Sequence, residues 1–226
     1  MEDLADKIVR SKRRRSLALV ITKDADFEVR VPYRASLSTI KKFVNENRTW
    51  IEKKIEKKKE LIDRHRNHVL PKEFIDGEGV MYEGKIYKLR ISDCKDVNVS
   101  EVLYFPRKFL PQAKQYLIIW LKHRALKKIT ERVNYFANIT GLKHKSVKIS
   151  SAEGIWGSCN YRGSLIINWR LIMAPSAVLD YIVVHELAHL VVKNHSKLFW
   201  NKVKEILPDY KTHETWIKKN GEILML

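Results

Sequence analysis

His185-Glu186-Leu187-Ala188-His189-Leu190-Val191-Val192-Lys193-Asn194-His195 is the stretch on which the reading of this chain turns. It falls in an otherwise apolar segment, Ala177 to Lys193, headed by Pro175-Ser176, and a proline and a serine at the start of such a run predict a helix. Residues four apart on a helix lie one turn above each other, about 6 Å along the axis. His185 and His189 can therefore aim two imidazoles at one point, where a zinc ion would accept them at roughly 2.0–2.1 Å. Glu186, one step round the helix, then stands beside the metal, in the place of a base that takes a proton from a water. Two histidines and a glutamate inside an apolar helix are costly to bury without partners, which weighs against ordinary core histidines.

A catalytic zinc commonly takes three protein ligands and keeps one position open, and His195 is the nearest candidate for the third. On a continuous helix it would lie about 280° round from His185, at about 100° per residue, and would miss the metal. A turn is therefore required after His189. Asn194 tolerates the left-handed conformation, and Ser196 can cap a second helix through Lys197, Phe199, Trp200 and Val203. Glu205 and Glu214 are reserve ligands, while Tyr210 and His213 come soon enough after the histidines to be candidates for stabilising an oxyanion.

Outward from this segment the pattern is that of an α+β protein. Ser164 to Asn168 and Ile155 to Cys159 read as a hairpin across Asn160-Tyr161-Arg162-Gly163, with Ser146 to Ser150 as a further strand. Within the hairpin, Trp156 reads as core before cleft lining, and Cys159 as an inert thiol before a redox sensor. Pro111 opens a helical run through Leu117, Leu121, Leu126, Ile129, Val133 and Phe136 that ends near Gly141. Upstream, Val80 to Tyr82 and Lys85 to Ile91 flank Glu83-Gly84, followed by Val97 to Phe105. At the N-terminal end, Ser16 to Thr22 and Asp26 to Val31 form a hairpin across Lys23-Asp24-Ala25, and a long lysine-faced helix runs from an N-cap at Ser38 to about His65, carrying Leu61 and Ile62 on its apolar positions. These readings place a domain boundary near residue 110, with a β-rich portion over 1–110 that bears the long helix and a metal-binding catalytic domain over 111–226.

Composition narrows the class. A chain of 226 residues with 45% hydrophobic residues and six Trp has a core to bury, which excludes disorder. The formal net charge of +18 attracts phosphate-bearing or otherwise acidic partners, although interspersed glutamates, as in Glu52 to Glu60, also suit a solvated helix face. Arg13 to Arg15 is the better candidate for meeting a polyanion or nucleic acid. Two cysteines cannot frame a disulfide-built fold, Met1 to Ser16 has no apolar core of a signal segment, and Val178 to Val192 is shorter than the ~20 residues of a spanning helix, so a cytoplasmic protein with no membrane contact is expected.

Val183-Val184-His185-Glu186-Leu187-Ala188-His189, Asn194-His195-Ser196 and Phe199-Trp200 together resemble the YgjP-like metallopeptidase family, relatives of the SprT-like and other zincin-type peptidases. Trp156-Gly157-Ser158-Cys159, Asn168-Trp169-Arg170-Leu171-Ile172 with Pro175, and the Arg-rich hairpin followed by Trp50-Ile51 extend the resemblance along essentially the whole chain. Ile155 stands where the family usually has an arginine, and Val192 where metzincins have a turn glycine. The resemblance implies a zincin-like core, Zn2+ on His185, His189 and His195, Glu186 as catalytic acid and base, and peptide or protein substrates. The charge leaves two alternatives open: a metal-dependent nucleotide phosphohydrolase, and a basic nucleic-acid-binding metalloprotein with little catalysis.

Overall fold

The computed structural model describes residues 4–22, 24–65, 69–71 and 73–224. Among them are six α-helices and three small sheets, an α+β architecture, and no helix is long and apolar enough to cross a membrane. The chain divides into two compact units, Met1–His65 and Arg66–Leu226.

In the first unit, β1 (Ile8–Ser11), β2 (Ala18–Ile21) and β3 (Phe27–Pro32) form a sheet of order β1-β3-β2, in which the expected β2–β3 hairpin is joined by a parallel β1. Lys23, part of the expected turn, lies outside the described residues. Alternation along β3 buries Val29 and Val31 against Ile40 of α1 (Leu37–Glu46). Lys7 fastens the hairpin by donating to Asp26 at 2.6 Å and lying 4.7 Å from the Phe27 ring centre. That bond holds the Asp26 carboxyl below its ordinary range.

The single long helix expected from Ser38 is two helices, α1 and α2 (Arg48–His65). Ser36, not Ser38, is the N-cap, its hydroxyl accepting from the Thr39 amide. Asn47 makes the break: its backbone and side-chain N–H groups return to Val44 and Phe43, and its own carbonyl accepts from Ile51 to begin α2. The side chains of Leu61 and Ile62 lie outside the described residues.

The second unit opens with β4 (Gly79–Tyr82), β5 (Lys85–Ser92), β6 (Asn98–Val99) and β7 (Leu103–Pro106), in the order β4-β5-β7-β6. Glu83 and Gly84 both take positive φ, 46° and 78°, as a two-residue hairpin turn demands. The turn is clamped to a segment about ninety residues downstream, because the Glu83 and Gly84 amides donate to the carbonyls of Ile172 and Met173. A Cβ at Gly84 would stand 2.8 Å from Pro175 Cα. This clamp ties the sheet to the segment that leads into the histidine-bearing helix, so the boundary expected near residue 110 falls inside the second unit.

The helix α3 (Ala113–Thr140) presents a fully buried stripe, Leu117, Leu121, Ala125, Ile129 and Val133, and ends on left-handed Gly141, as the sequence predicts. It packs on α4 (Ser176–Ala188) and on β8 (Ser146–Ser150) of a third sheet, whose order with β9 (Gly157–Cys159) and β10 (Ser164–Asn168) is β8-β10-β9. The hairpin β9–β10 forms as expected, with the Asn160 carboxamide oxygen accepting from the amides of Arg162 and Ser164. Two further helices, α5 (Lys197–Ile206) and α6 (Tyr210–Leu224), complete the unit.

Candidate metal centre

The α4 helix is apolar on nearly every side and is buried accordingly, from Val178 to Ala188. It stops earlier than expected. The helix ends at Ala188, with His189 as C-cap, and the amides of Val191 and Val192 both return to the Ala188 carbonyl. His189 Nδ1 bonds the Val192 carbonyl at 3.0 Å, which closes the turn. The reversal expected at Lys193-Asn194 is thus made at His189. Positive φ among described non-glycine residues is confined to Ala25, Phe74 and Glu83, and Asn194 instead accepts the Ser196 amide through its side chain. Ser196 precedes α5 as expected, but its hydroxyl makes no capping bond.

This turn returns His195 to the first two histidines. The ligating atoms of His185, His189 and His195 lie within 4.8 Å of one another, and they are the group so placed among the described residues. Nε2 of His185 and Nε2 of His195 face each other at 3.0 Å. Two imidazole nitrogens on one tetrahedral ion at ~2.0–2.1 Å would be separated by about 3.3 Å, so the spacing suits a shared cation. Burial, reinforced by the neighbouring His189 and His195, pulls the His185 pKa down to about 3, and burial also lowers that of His189. Both rings are therefore neutral near pH 7, the form that offers a lone pair to a metal. His189 Nδ1, engaged with Val192, leaves Nε2 for that purpose. On these observations the three residues fit a metal ion.

Phe199, wholly buried on α5, lies beneath all three rings, with centroids 4.8 Å from His185, 4.5 Å from His189 and 4.7 Å from His195. It provides an apolar floor that fixes the imidazole planes. Spacing alone marked Phe199 only as a helix-face residue, although its position four after His195 was the available signal.

Glu186 is 4% exposed, and its Oε2 is buried without a hydrogen-bond partner. Burial pushes its carboxyl up to about 8, far above the ordinary carboxylate range, so the group exchanges its proton close to neutrality. Its other face rests against the backbone of β9, where a Cβ added to Gly157 would stand 2.5 Å from Oε1 and 2.7 Å from Cγ. The sequence alone gave Gly157 no role. A glycine inside a strand is the usual mark of such a close approach, and that was the missed signal.

A cleft of about 410 Å³ opens in front of Glu186, bounded by α4 through Tyr181 and Ile182, by α5 through His195 and Trp200, by the 154–157 segment and by α6. Trp156 lines it, where core was expected, and lies against Gly221, at which a Cβ would stand 2.8 Å from the indole. Asn168 supports this loop by donating to the carbonyls of Ala152 and Ile155. Tyr181, a turn before His185, lines the cleft as well, and burial followed by the charge of Glu214 raises its phenol. Tyr210 and His213 do not line it: Tyr210 stacks behind Tyr181 and Trp200, and His213 bonds Asp209. Cys159 is outside the histidine cluster, with a thiol raised by burial. Glu205 pairs with Lys202 on α5 and Glu214 with Lys218 at the cleft, so neither reserve ligand joins the histidines.

Three converging imidazoles, a buried carboxylate beside them and an open cleft are the donor set of a metal-dependent hydrolase. The model of the YgjP-like metallopeptidase domain matches residues 15–220, and the chain belongs to that family. Membership implies a catalytic metal and protein or peptide substrates. Among solved structures, the metallopeptidase zymogen abylysin of Pyrococcus abyssi is similar at 21% identity and a TM-score of 0.37, over 40% of this chain and 93% of its own. The metallopeptidase zymogen jannalysin of Methanocaldococcus jannaschii is similar at 21% identity and 0.37, over 40% and 94% respectively. A comparison with curated proteins found no match.

Proposed function

We propose that this protein is a zinc-dependent peptidase in which His185, His189 and His195 hold the metal and Glu186 moves the proton. The observation that carries this reading is the convergence of the three imidazole donors within 4.8 Å, one residue from a buried carboxyl that has a free oxygen. Neutral imidazoles are donors that zinc accepts readily. Zinc, when bound, supplies a Lewis acid that polarises a carbonyl and makes water acidic at neutral pH. Glu186 accepts the proton of the attacking water and returns it to the leaving nitrogen. Gly157 keeps that carboxyl in register from behind, and Phe199 keeps the three rings from rotating away. Because β9 is the last strand of its sheet and touches Glu186 through Gly157, an extended peptide added along β9 would run across the cleft.

The phosphohydrolase alternative has less support, since the cleft lining carries Glu186 and Glu214 against one lysine, Lys218, and offers no cradle for phosphate. Metal analysis and peptide turnover test the proposal together. Purified protein should hold near-stoichiometric zinc, Glu186→Gln should keep it while losing turnover by several orders of magnitude, and His195→Ala should lose most of it. Full zinc in His195→Ala would remove that ligand. Turnover surviving in Glu186→Gln would remove the base.

A further inference from the structure

The α6 helix turns Glu214, Ile217 and Lys218 toward the cleft, a spacing that places them on one face, yet none of the three holds the metal or handles the proton. The polar part of this face is an ion pair in which Lys218 Nζ bonds Glu214 Oε1 at 2.5 Å. The partners differ in exposure: the glutamate side chain is 23% exposed and the lysine 70%. Glu214 is therefore a fixture of the wall, whereas Lys218 reaches it from solvent. Facing them are the rings of Tyr181 and Trp200 and the side chain of Ile182.

Aromatic walls with one carboxylate among them complement an amphipathic cation. A methylene stem packs along the rings, the charged head gains from their π faces, and the carboxylate takes the head's N–H groups. Lys218 already demonstrates the pairing with Glu214, but its own side chain stays largely in solvent, gains little from the contact and yields to a competitor that also buries its stem. The location is informative against the whole chain: net charge is +18, yet Lys218 is the one lysine or arginine among the described residues that lines this cleft, and it is already paired with Glu214.

We propose that the Glu214 end of the cleft is a specificity pocket for a lysine or arginine side chain flanking the scissile bond of a peptide substrate. The proposal takes its substrate class from the peptidase reading, while the pocket itself is testable without turnover. Zinc-loaded Glu186→Gln protein is titrated calorimetrically with peptides that differ at one position, carrying lysine, arginine, norleucine or glutamate, with that position scanned along the peptide. At one position the lysine and arginine peptides should bind on the order of tenfold tighter than the norleucine peptide, and the glutamate peptide more weakly than any. Adding Glu214→Gln should abolish the difference, and adding Lys218→Ala should enlarge it by removing the internal competitor. Equal affinities at every position, no binding of any peptide, or a difference that persists in Glu214→Gln overturns the proposal. Peptide hydrolysis by the wild-type protein is measured separately: its absence would overturn the peptidase reading, while the affinity ratio still decides the pocket.

Discussion

Glu186 shows how much chemistry is placed by the absence of a side chain. Its carboxyl is buried and lacks a partner on one oxygen, so its orientation depends on the surface behind it, which is the bare backbone of Gly157. A methyl group there would overlap Oε1 and Cγ together, and the carboxyl would have to swing. Gly157→Ala should therefore lower turnover by about a hundredfold, the scale associated with misplacing a catalytic group by about 1 Å, and should destabilise the fold by about 1–3 kcal/mol. Metal content should be unchanged, since none of the three histidines is touched. Turnover within a factor of two of wild type, in protein with normal metal content, would show that the strand does not position the base.

Between elements, the position of α4 is set from outside the metal centre. Arg132 on α3 grips Asp180 on α4 through two N–H groups, at 2.6 and 2.9 Å, and both side chains are largely shielded, at 24% and 16% exposure. The guanidinium also lies over Tyr135 and Phe136 of its own helix. Asp180 is five residues ahead of His185, so this clamp fixes the rotation of the helix that carries the first two histidines. A bidentate, partly buried pair is worth more than a surface one, and Arg132→Met, which leaves Asp180 unpaired, should cost about 2 kcal/mol in denaturant unfolding. Asp180→Asn should cost a similar amount. The double variant should cost clearly less than the sum, because the two changes remove one shared interaction; strict additivity would mean the clamp contributes nothing as a pair.

At the scale of the molecule, the two units respond to different chemistry. In the first, the Asp26 carboxyl is held below its ordinary value of 3.8, chiefly by Lys7. As pH falls below about that value, the unfolded chain takes up a proton that the folded unit resists, so stability is present above this window and is lost as pH drops through it. Amide exchange of the β2 and β3 strands in the intact protein should therefore accelerate in Asp26→Asn at pH 7, and the gap from wild type should narrow toward pH 3. A gap that stays constant with pH would place the stabilisation elsewhere. Residues near in the chain were enough to read most elements: the β9–β10 hairpin from its Asn-Tyr-Arg-Gly turn, the end of α3 from Gly141, and the pairing of His185 with His189 from helical periodicity. Each of these depends on interactions a few residues apart, which the order of residue types records directly. Features beyond the reach of local spacing were decided by packing. The long lysine-rich helix was divided by backbone and side-chain bonds of Asn47, and the sheet over 79–106 was drawn into the second unit by amides of Glu83 and Gly84 finding carbonyls roughly ninety residues downstream. His195 was delivered to its partners by a turn at His189 that closes on the Val192 carbonyl, and the surfaces behind Glu186 and around Trp156 were set by Gly157 and Gly221, whose meaning is visible only once another element lies against them.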